Sequence, residues 1–195
     1  MWLDLDETQS ELKYKRLLEK SEALFISNGY RNVSIEEIAA AAGISKVTIY
    51  KHFNSKEALF MYCVKNIINA HYDVLESELD KRNGSVEKLT YLFEYSLTSY
   101  DKYSSAFYKD TMEIPYIWEK IVGYRKKRAI KICEEILKEG IASKELREID
   151  IKYTVKLLLC LGESLPKIYP FDDAKEAKIF MKNYYNFIKY ALINK

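Results

Sequence analysis

The chain has 195 residues, which is room for one domain or two small ones at roughly 100–200 residues per domain. Hydrophobic residues make up 48% and charged residues 31%, which excludes a disordered chain, and no apolar run approaches the ~18 residues that a membrane span needs. The acidic start lacks the basic region and apolar core of a signal peptide, so we expect a cytoplasmic protein that does not contact a membrane. The net charge of +2 is too small to indicate nucleic-acid binding by itself.

The sequence contains few residues that could support catalysis or metal binding. Cys63, Cys133 and Cys160 are odd in number and far apart, with no CxxC pair, so neither a disulfide framework nor a zinc site is indicated. There is no Gly-rich phosphate loop, no HExxH and no GxSxG, and the only histidines are His52 and His71. We therefore predict that the protein is not an enzyme, has no catalytic or metal-binding residues and uses no cofactor.

Helical periodicity begins near the N-terminus. Apolar residues recur at helical spacing from Glu11 to Asn28, and Gly29 is a plausible stop. Ser34 followed by Glu37 is a capping box, which predicts a helix from Ser34 to a left-handed turn at Gly43. Ser45 is expected to cap a short helix that runs toward Phe53.

The spacing of apolar residues also predicts helices in the rest of the chain, and apolar and polar residues do not alternate as they would in a strand. With only 6 Gly and 3 Pro, an all-α fold is predicted. The expected helices run from Ser55 to about Lys81, from the turn at Asn83–Ser85 to Tyr100, more weakly from Lys102 to Ile114 before Pro115, from there to Gly140, from Asp150 to Leu165 and from Ala174 to Ile193.

The segment from Ser34 to Phe53 has the pattern of a helix-turn-helix. Ala39 is small where two helices would touch, and Gly43 supplies the turn. Ile38, Ile44 and Ile49 provide apolar anchors on both sides of it. A helical hairpin without a special function is the alternative. From Gly43 to Lys56 the chain carries three lysines and no acid, which favours a nucleic-acid surface.

The second helix of this pattern would read DNA in the major groove. Its first turn could bring Val47 and Thr48 to thymine methyls or base edges. Phosphate oxygens could be bound by Lys46, Tyr50, Lys51, His52 and Lys56. For each of these residues a merely solvated surface position remains an alternative.

This first third of the chain resembles the tetracycline-repressor (TetR) family. The resemblance rests on Phe25, Gly29-Tyr30, Ser34-Ile35, Ile38-Ala39, Ala42-Gly43-Ile44-Ser45, Ile49-Tyr50, His52-Phe53, Ser55-Lys56 and Leu59-Phe60. It implies a three-helix DNA-binding domain in residues 1–54 and a larger ligand-binding and dimerisation domain in residues 55–195. It also implies a dimer that binds a palindromic operator in double-stranded DNA, usually as a repressor.

By position, the resemblance extends to individual side chains that often contact DNA in the family. The matching positions are Ser34, Ser45, Lys46, Val47, Thr48, Tyr50, His52 and Lys56. Val47 departs from the family, which often has Gly there, and Lys51 is bulkier and more basic than is usual. The base preference of relatives therefore cannot be carried over to this chain.

A pocket for a small-molecule effector of unknown identity is expected in the C-terminal domain. Aromatic side chains line many ligand pockets, although they also fill ordinary cores, and His71 could be a core histidine instead of a ligand contact. The candidate residues are His71, Tyr91, Tyr95, Tyr100, Phe107, Tyr108, Trp118 and Tyr124. A ligand that moves the helix following Ser55 would change the separation of two DNA-binding domains, which half-site spacing does not tolerate.

The last two helices are too apolar for surface helices with one buried side. Packing against their copies in a homodimer would cover them as a four-helix bundle, and filling the core of one monomer is the alternative. Two alternatives for the function also stay open. One is a ligand-independent, DNA-bound structural or interaction protein on the same fold, and the other is a regulator that activates transcription.

Overall fold

The computed structural model describes residues 8–168 and 174–194, apart from some side chains, among them those of Ser99, Tyr100 and Glu163. Its described part is all helical, which confirms the predicted fold class, and an isolated bridge between Leu146 and Ile193 is its one β-type pairing. The helices are α1 Gln9–Asn28, α2 Ile35–Ala42, α3 Lys46–His52, α4 Lys56–Leu79, α5 Ser85–Lys102, α6 Ser105–Glu113, α7 Pro115–Ala142, α8 Ile151–Ile168 and α9 Ala174–Leu192.

The helices fall into two compact units. The first unit runs up to Ile67 and includes Ser104–Glu113, and the second comprises Ile68–Tyr103 and the residues from Ile114 onward. The predicted boundary between residues 54 and 55 separates a DNA-binding domain from a ligand-binding domain, and it stays a prediction. The compact units follow packing instead, so that the first turns of α4, and all of α6, belong with α1, α2 and α3.

The first unit is built around an aromatic and aliphatic core. Phe25 of α1 meets Phe60 of α4 edge to face, with 5.0 Å between ring centroids, and both side chains are fully buried. Phe107 of α6 lies 6.1 Å from Phe60, so α6 completes this core. Leu17, Ile38, Ile49 and Leu59 are buried with them.

A buried carboxylate fixes α6 to the turn after α1. Asp110 accepts a hydrogen bond of 2.8 Å from the backbone N–H of Arg31, whose guanidinium lies 3.2 Å from the other carboxylate oxygen. Gly29 adopts a φ of +80°, and a Cβ there would meet Asp110 and the backbone of Ala106. Glycine is therefore required where α6 approaches the end of α1.

Ion pairs, and a helix cap supplied by a residue distant in the sequence, stabilise the second unit. Arg128 of α7 binds Glu76 of α4 through two hydrogen bonds of 2.9 Å and Asp73 through one of 2.7 Å. The carboxylate of Glu145 accepts hydrogen bonds from the N–H and hydroxyl of Ser85, at 2.6 and 2.5 Å, and thereby caps the start of α5. These contacts join segments that are 50 or more residues apart in the chain.

The helix α8 extends further than the sequence predicted. We expected α8 to end at Pro166, but it continues to Ile168, because a proline in the last turn removes one hydrogen bond without stopping the helix. We also expected α8 to be covered on most sides by packing against a second copy, and this stays a prediction. Within the described chain Val155 is buried, whereas Tyr153 is 64% exposed and Leu157 is 57% exposed.

Two glycines of α7 offer a matched test of packing. At Gly140 a Cβ would clash with the Ser85 hydroxyl and with Leu146, whereas at Gly123 nothing lies within 4 Å. Ser85 cannot move away without losing Glu145. We expect Gly140→Ala to lower the free energy of unfolding by about 1–3 kcal/mol, and Gly123→Ala to raise it by about 0.5–1 kcal/mol. Thermal denaturation of both variants checks this, and equal effects in the same direction would contradict it.

Candidate nucleic-acid interface

The turn between α2 and α3 is built from local hydrogen bonds. The hydroxyl of Ser34 accepts from the N–H of Glu37 at 3.1 Å, and the Glu37 carboxylate accepts from the N–H of Ser34 at 2.7 Å, so the predicted capping box is confirmed. These bonds lower the pKa of Glu37. Gly43 has the left-handed conformation that ends α2, with φ +64° and ψ +41°.

The short helix α3 presents one buried side chain and a mostly exposed surface. Ser45 caps it as predicted, accepting from the N–H of Thr48 at 3.1 Å. Ile49 is fully buried, whereas Val47 is 65% exposed and Tyr50 is 50% exposed. Val47 and Tyr50 are therefore available for contact with a binding partner.

The predicted basic residues of α3 differ in what they contact. The ammonium group of Lys46 lies 2.8 Å from the carboxylate of Glu36 on α2, and this hydrogen bond is the main cause of the lowered pKa of Glu36. Lys51 and His52 are exposed. A phosphate could therefore meet Lys51 directly, whereas at Lys46 it would compete with an acid that is already bound.

Lys56 is directed at the protein backbone. Its ammonium group donates hydrogen bonds of 2.8 Å to the carbonyl oxygens of Tyr30 and Val33, and lies 4.4 Å from the centroid of the Tyr30 ring. Burial lowers the pKa of Lys56. Lys56 thus holds the start of α4 on the turn between α1 and α2, and its predicted phosphate contact stays a prediction.

An aromatic cluster that we did not predict supports the end of α3. The Tyr14 ring of α1 lies 4.8 Å from the ring of His52 and 6.3 Å from that of Phe53, and Phe53 lies 5.4 Å from Tyr62 of α4. Burial, followed by the hydrogen bond with Tyr62, raises the pKa of Tyr14 to about 12. The apolar periodicity of α1 included Tyr14, but nothing local identified its partners.

Another residue that the sequence analysis missed stands at the turn itself. The guanidinium of Arg16 on α1 lies 3.4 Å from the position that a Cβ of Gly43 would occupy. This places a positive charge beside the turn between α2 and α3. The only sequence signal for it was a basic residue on the polar side of α1.

The predicted pocket residues are only partly brought together. The ring of His71 lies 4.6 Å from that of Tyr95, which stacks on Tyr91 at 5.6 Å. Phe107 and Tyr108 belong to the first unit. On α7, Trp118 is buried and Tyr124 is 39% exposed. The side chain of Tyr100 lies outside the described residues.

Within the described ranges, no group of three or more His, Cys, Asp or Glu side chains could hold a metal ion. None of the helices described is long and apolar enough to cross a membrane. The helical pair α2–α3, with its left-handed Gly43, its capped second helix and the exposed surface of that helix, defines a helix-turn-helix protein of the DNA-binding class.

Comparison with known proteins specifies that class further. Residues 17–63 match the family profile described as bacterial regulatory proteins, tetR family. The chain is 26% identical over 155 residues to the HTH-type transcriptional repressor KstR2 of Mycolicibacterium smegmatis, covering 75% of each chain. This chain therefore carries the N-terminal DNA-binding domain of the TetR family of transcriptional regulators.

Solved structures agree with the fold over almost the whole length. FadR of Bacillus subtilis, in complex with stearoyl-CoA, aligns with a TM-score of 0.63 and 19% identity, covering 88% of this chain and 97% of that one. A regulator from Saccharomonospora viridis, in complex with choline, aligns with a TM-score of 0.69 and 20% identity, covering 96% and 100%. At these identities the likeness concerns the fold.

Replacement of Lys51 and replacement of Lys56 should have different effects on the free energy of unfolding. Lys56→Ala deletes two charged hydrogen bonds to carbonyl groups, so we expect it to lower the free energy of unfolding by about 1–2 kcal/mol. Lys51→Ala should leave thermal stability unchanged, because the side chain is exposed. Calorimetry of both variants checks this, and a stable Lys56→Ala protein would contradict the structural role.

Proposed function

We propose that this protein is a homodimeric transcription regulator that binds a palindromic operator through α3 and is released from it by a small-molecule ligand. In this proposal it acts as a repressor. The observation that carries the proposal is the surface of α3, where Ile49 is buried while Val47, Tyr50 and Lys51 project outward.

The side chains of α3 suit the two kinds of contact that an operator offers. Val47 and Thr48 stand in the first turn, where a recognition helix approaches base edges, and the apolar Val47 fits a thymine methyl group. Tyr50, Lys51 and His52 follow toward the helix end and would bind phosphate oxygens. Ser34 and Ser45 cap the starts of α2 and α3, where their hydroxyl groups would contact phosphates.

The surface of α8 and α9 supports a two-fold dimer. Leu157 of α8 and Ile179, Phe187 and Tyr190 of α9 are between 55% and 71% exposed. An open groove of about 370 Å³ lies between the two helices and is lined by Leu161, Phe180, Asn183, Tyr184, Phe187 and Ile188. An apolar surface of this kind marks a protein interface, and a second copy presenting the same helices would cover it.

Release by a ligand is the third part of the proposal. Its support is the half-buried aromatic group of His71, Tyr91 and Tyr95 in the second unit, together with the ligands in related folds. A change in the separation of two recognition helices by a few ångströms would prevent both from docking in successive major grooves, which lie ~34 Å apart.

Operator binding is tested with the purified protein and the DNA upstream of its own gene, titrated across salt concentrations. We expect sequence-selective binding that weakens steeply with salt. Tyr50→Ala should weaken it about tenfold, and Lys51→Ala should reduce the salt slope by about one. Lys127→Ala on α7 is the control and should behave as wild type. Equal binding to random DNA would favour the structural-protein alternative.

The dimer is tested by placing a charge on the exposed apolar surface. Phe187, which is 71% exposed, should tolerate Glu in a monomer but not in the proposed interface. We expect Phe187→Glu to give a folded monomer by sedimentation and circular dichroism and to lose operator affinity by at least tenfold. Lys182→Glu, a charge change at an exposed position of α9, is the matched control. A dimeric Phe187→Glu protein would contradict this interface.

A further inference from the structure

We infer that Glu36 of α2 is a positioning residue of the DNA-binding surface, which holds the ammonium group of Lys46 at the start of α3 and keeps it from binding phosphates. The inference rests on the proposed function, since it takes α3 to be the helix that meets DNA. It gives Lys46 a role other than the phosphate contact that its position in the sequence predicts.

The helix-turn-helix, from Ser34 to Phe53, contains two acidic residues, and they have different partners. The carboxylate of Glu37 accepts hydrogen bonds of 2.7 and 2.8 Å from the N–H and the hydroxyl group of Ser34, and completes the cap of α2. The carboxylate of Glu36 accepts a hydrogen bond of 2.8 Å from Lys46, which lies 10 residues later on the other side of the turn. Of these two acids, only Glu36 binds a side chain of α3.

The fold of the helix-turn-helix does not depend on this ion pair. The side chains of Ile38 on α2 and Ile49 on α3 are fully buried and hold both helices in the core of the first unit. The side chains of Lys46 and Glu36 are 54% and 64% exposed, and exposed ion pairs contribute little to stability because water and salt screen them. The effect of the pair is therefore expected in the binding of a charged partner.

The pair changes what α3 offers to DNA, because phosphate contacts contribute to affinity through the release of counterions. An ammonium group that neutralises one phosphate steepens the dependence of log affinity on log salt concentration by about 0.9. The pair of Glu36 and Lys46 has no net charge, and separating it would leave a carboxylate unpaired at a surface that meets phosphates. Glu36 therefore removes one phosphate contact from the start of α3.

The two ends of α3 consequently differ in what they can recognise. Lys51, near the end of the helix, is exposed and can bind a phosphate in any DNA sequence. At the start of the helix, the side chains next to Lys46 are the uncharged Val47 and Thr48. What remains there is contact with base edges, which differ between sequences, whereas phosphates do not.

Glu36 could instead act on its own helix or on a base. It is the second residue of α2, where the helix dipole favours a negative charge, and a carboxylate can accept a hydrogen bond from the amino group of cytosine. Neither of these roles uses Lys46. The two roles are therefore separated from the inference by asking whether the effect of Glu36 requires Lys46.

The first measurement tests the ion pair in the full chain without DNA. An NMR titration of the Glu36 carboxylate gives its pKa in the wild type and in Lys46→Gln. Because the hydrogen bond from Lys46 is the main cause of the lowered pKa of Glu36, we expect this pKa to be higher in the variant. An equal pKa in the two proteins would show that the pair does not form in solution, which overturns the inference.

The second measurement is binding to a random-sequence DNA duplex, titrated across salt concentrations. We expect Glu36→Gln, which keeps the shape of the side chain and removes its charge, to bind about three- to tenfold more tightly at about 0.1 M salt, with a salt slope steeper by about one. Adding Lys46→Gln to this variant should remove the gain. Glu94→Gln makes the same charge change at an exposed position of α5 in the second unit, and as the matched control it should bind as wild type.

The inference is overturned if Glu36→Gln binds random DNA as the wild type does, or if its gain persists when Lys46 is replaced as well. A lost base preference without a steeper salt slope would assign Glu36 to a base instead. Thermal denaturation verifies folding, and we expect melting temperatures within about 2 °C of the wild type. Operator preference is measured separately on the wild type: its absence contradicts the proposed function, while the variants on random DNA still decide this inference.

Discussion

Ile49 is the one fully buried residue of α3, and the position of the whole helix depends on it. A helix of seven residues has almost no stability in isolation, because about twelve residues are needed before helix formation in water becomes favourable. The helix is held by Ile49 in the core, by Ser45 at its start, and by the contacts of His52 and Phe53 with Tyr14 at its end. Val47, Tyr50 and Lys51 are left exposed for a partner, which is what a recognition helix requires.

The features that the sequence predicted are those whose chemistry is local. The caps at Ser34, Ser45 and Ser55 each accept a hydrogen bond from an N–H three residues later, and the left-handed turn at Gly43 follows from the residue type. Such bonds depend on neighbouring residues alone, so a short motif specifies them completely. The helix-turn-helix could therefore be predicted to within a residue of its observed bounds.

The features that the sequence did not predict depend on distant partners. From the sequence, Lys56 is predicted to be a surface lysine next to a DNA-binding helix. In the structure it binds carbonyl groups that lie 23 and 26 residues earlier in the chain. α6 has a weak helical pattern because its buried face combines Phe107 with the polar Asp110 and Thr111, and Asp110 finds its partner in Arg31, 79 residues away. Likewise, the apolar character of α8 could not reveal whether its own chain covers Leu157.

The course of the chain connects the proposed ligand site with the proposed DNA-binding surface. The chain passes between the two units within α4 after Ile67, before α6 at Ser104 and after α6 at Glu113. His71, which belongs to the proposed ligand site, lies one helical turn beyond the first of these passages. A ligand that contacts His71 would therefore bind the same helix whose first turns contribute Leu59 and Phe60 to the core of the first unit. Because Phe60 packs against Phe25 in that core, α4 is a continuous covalent connection from the proposed ligand site to the core that supports α3.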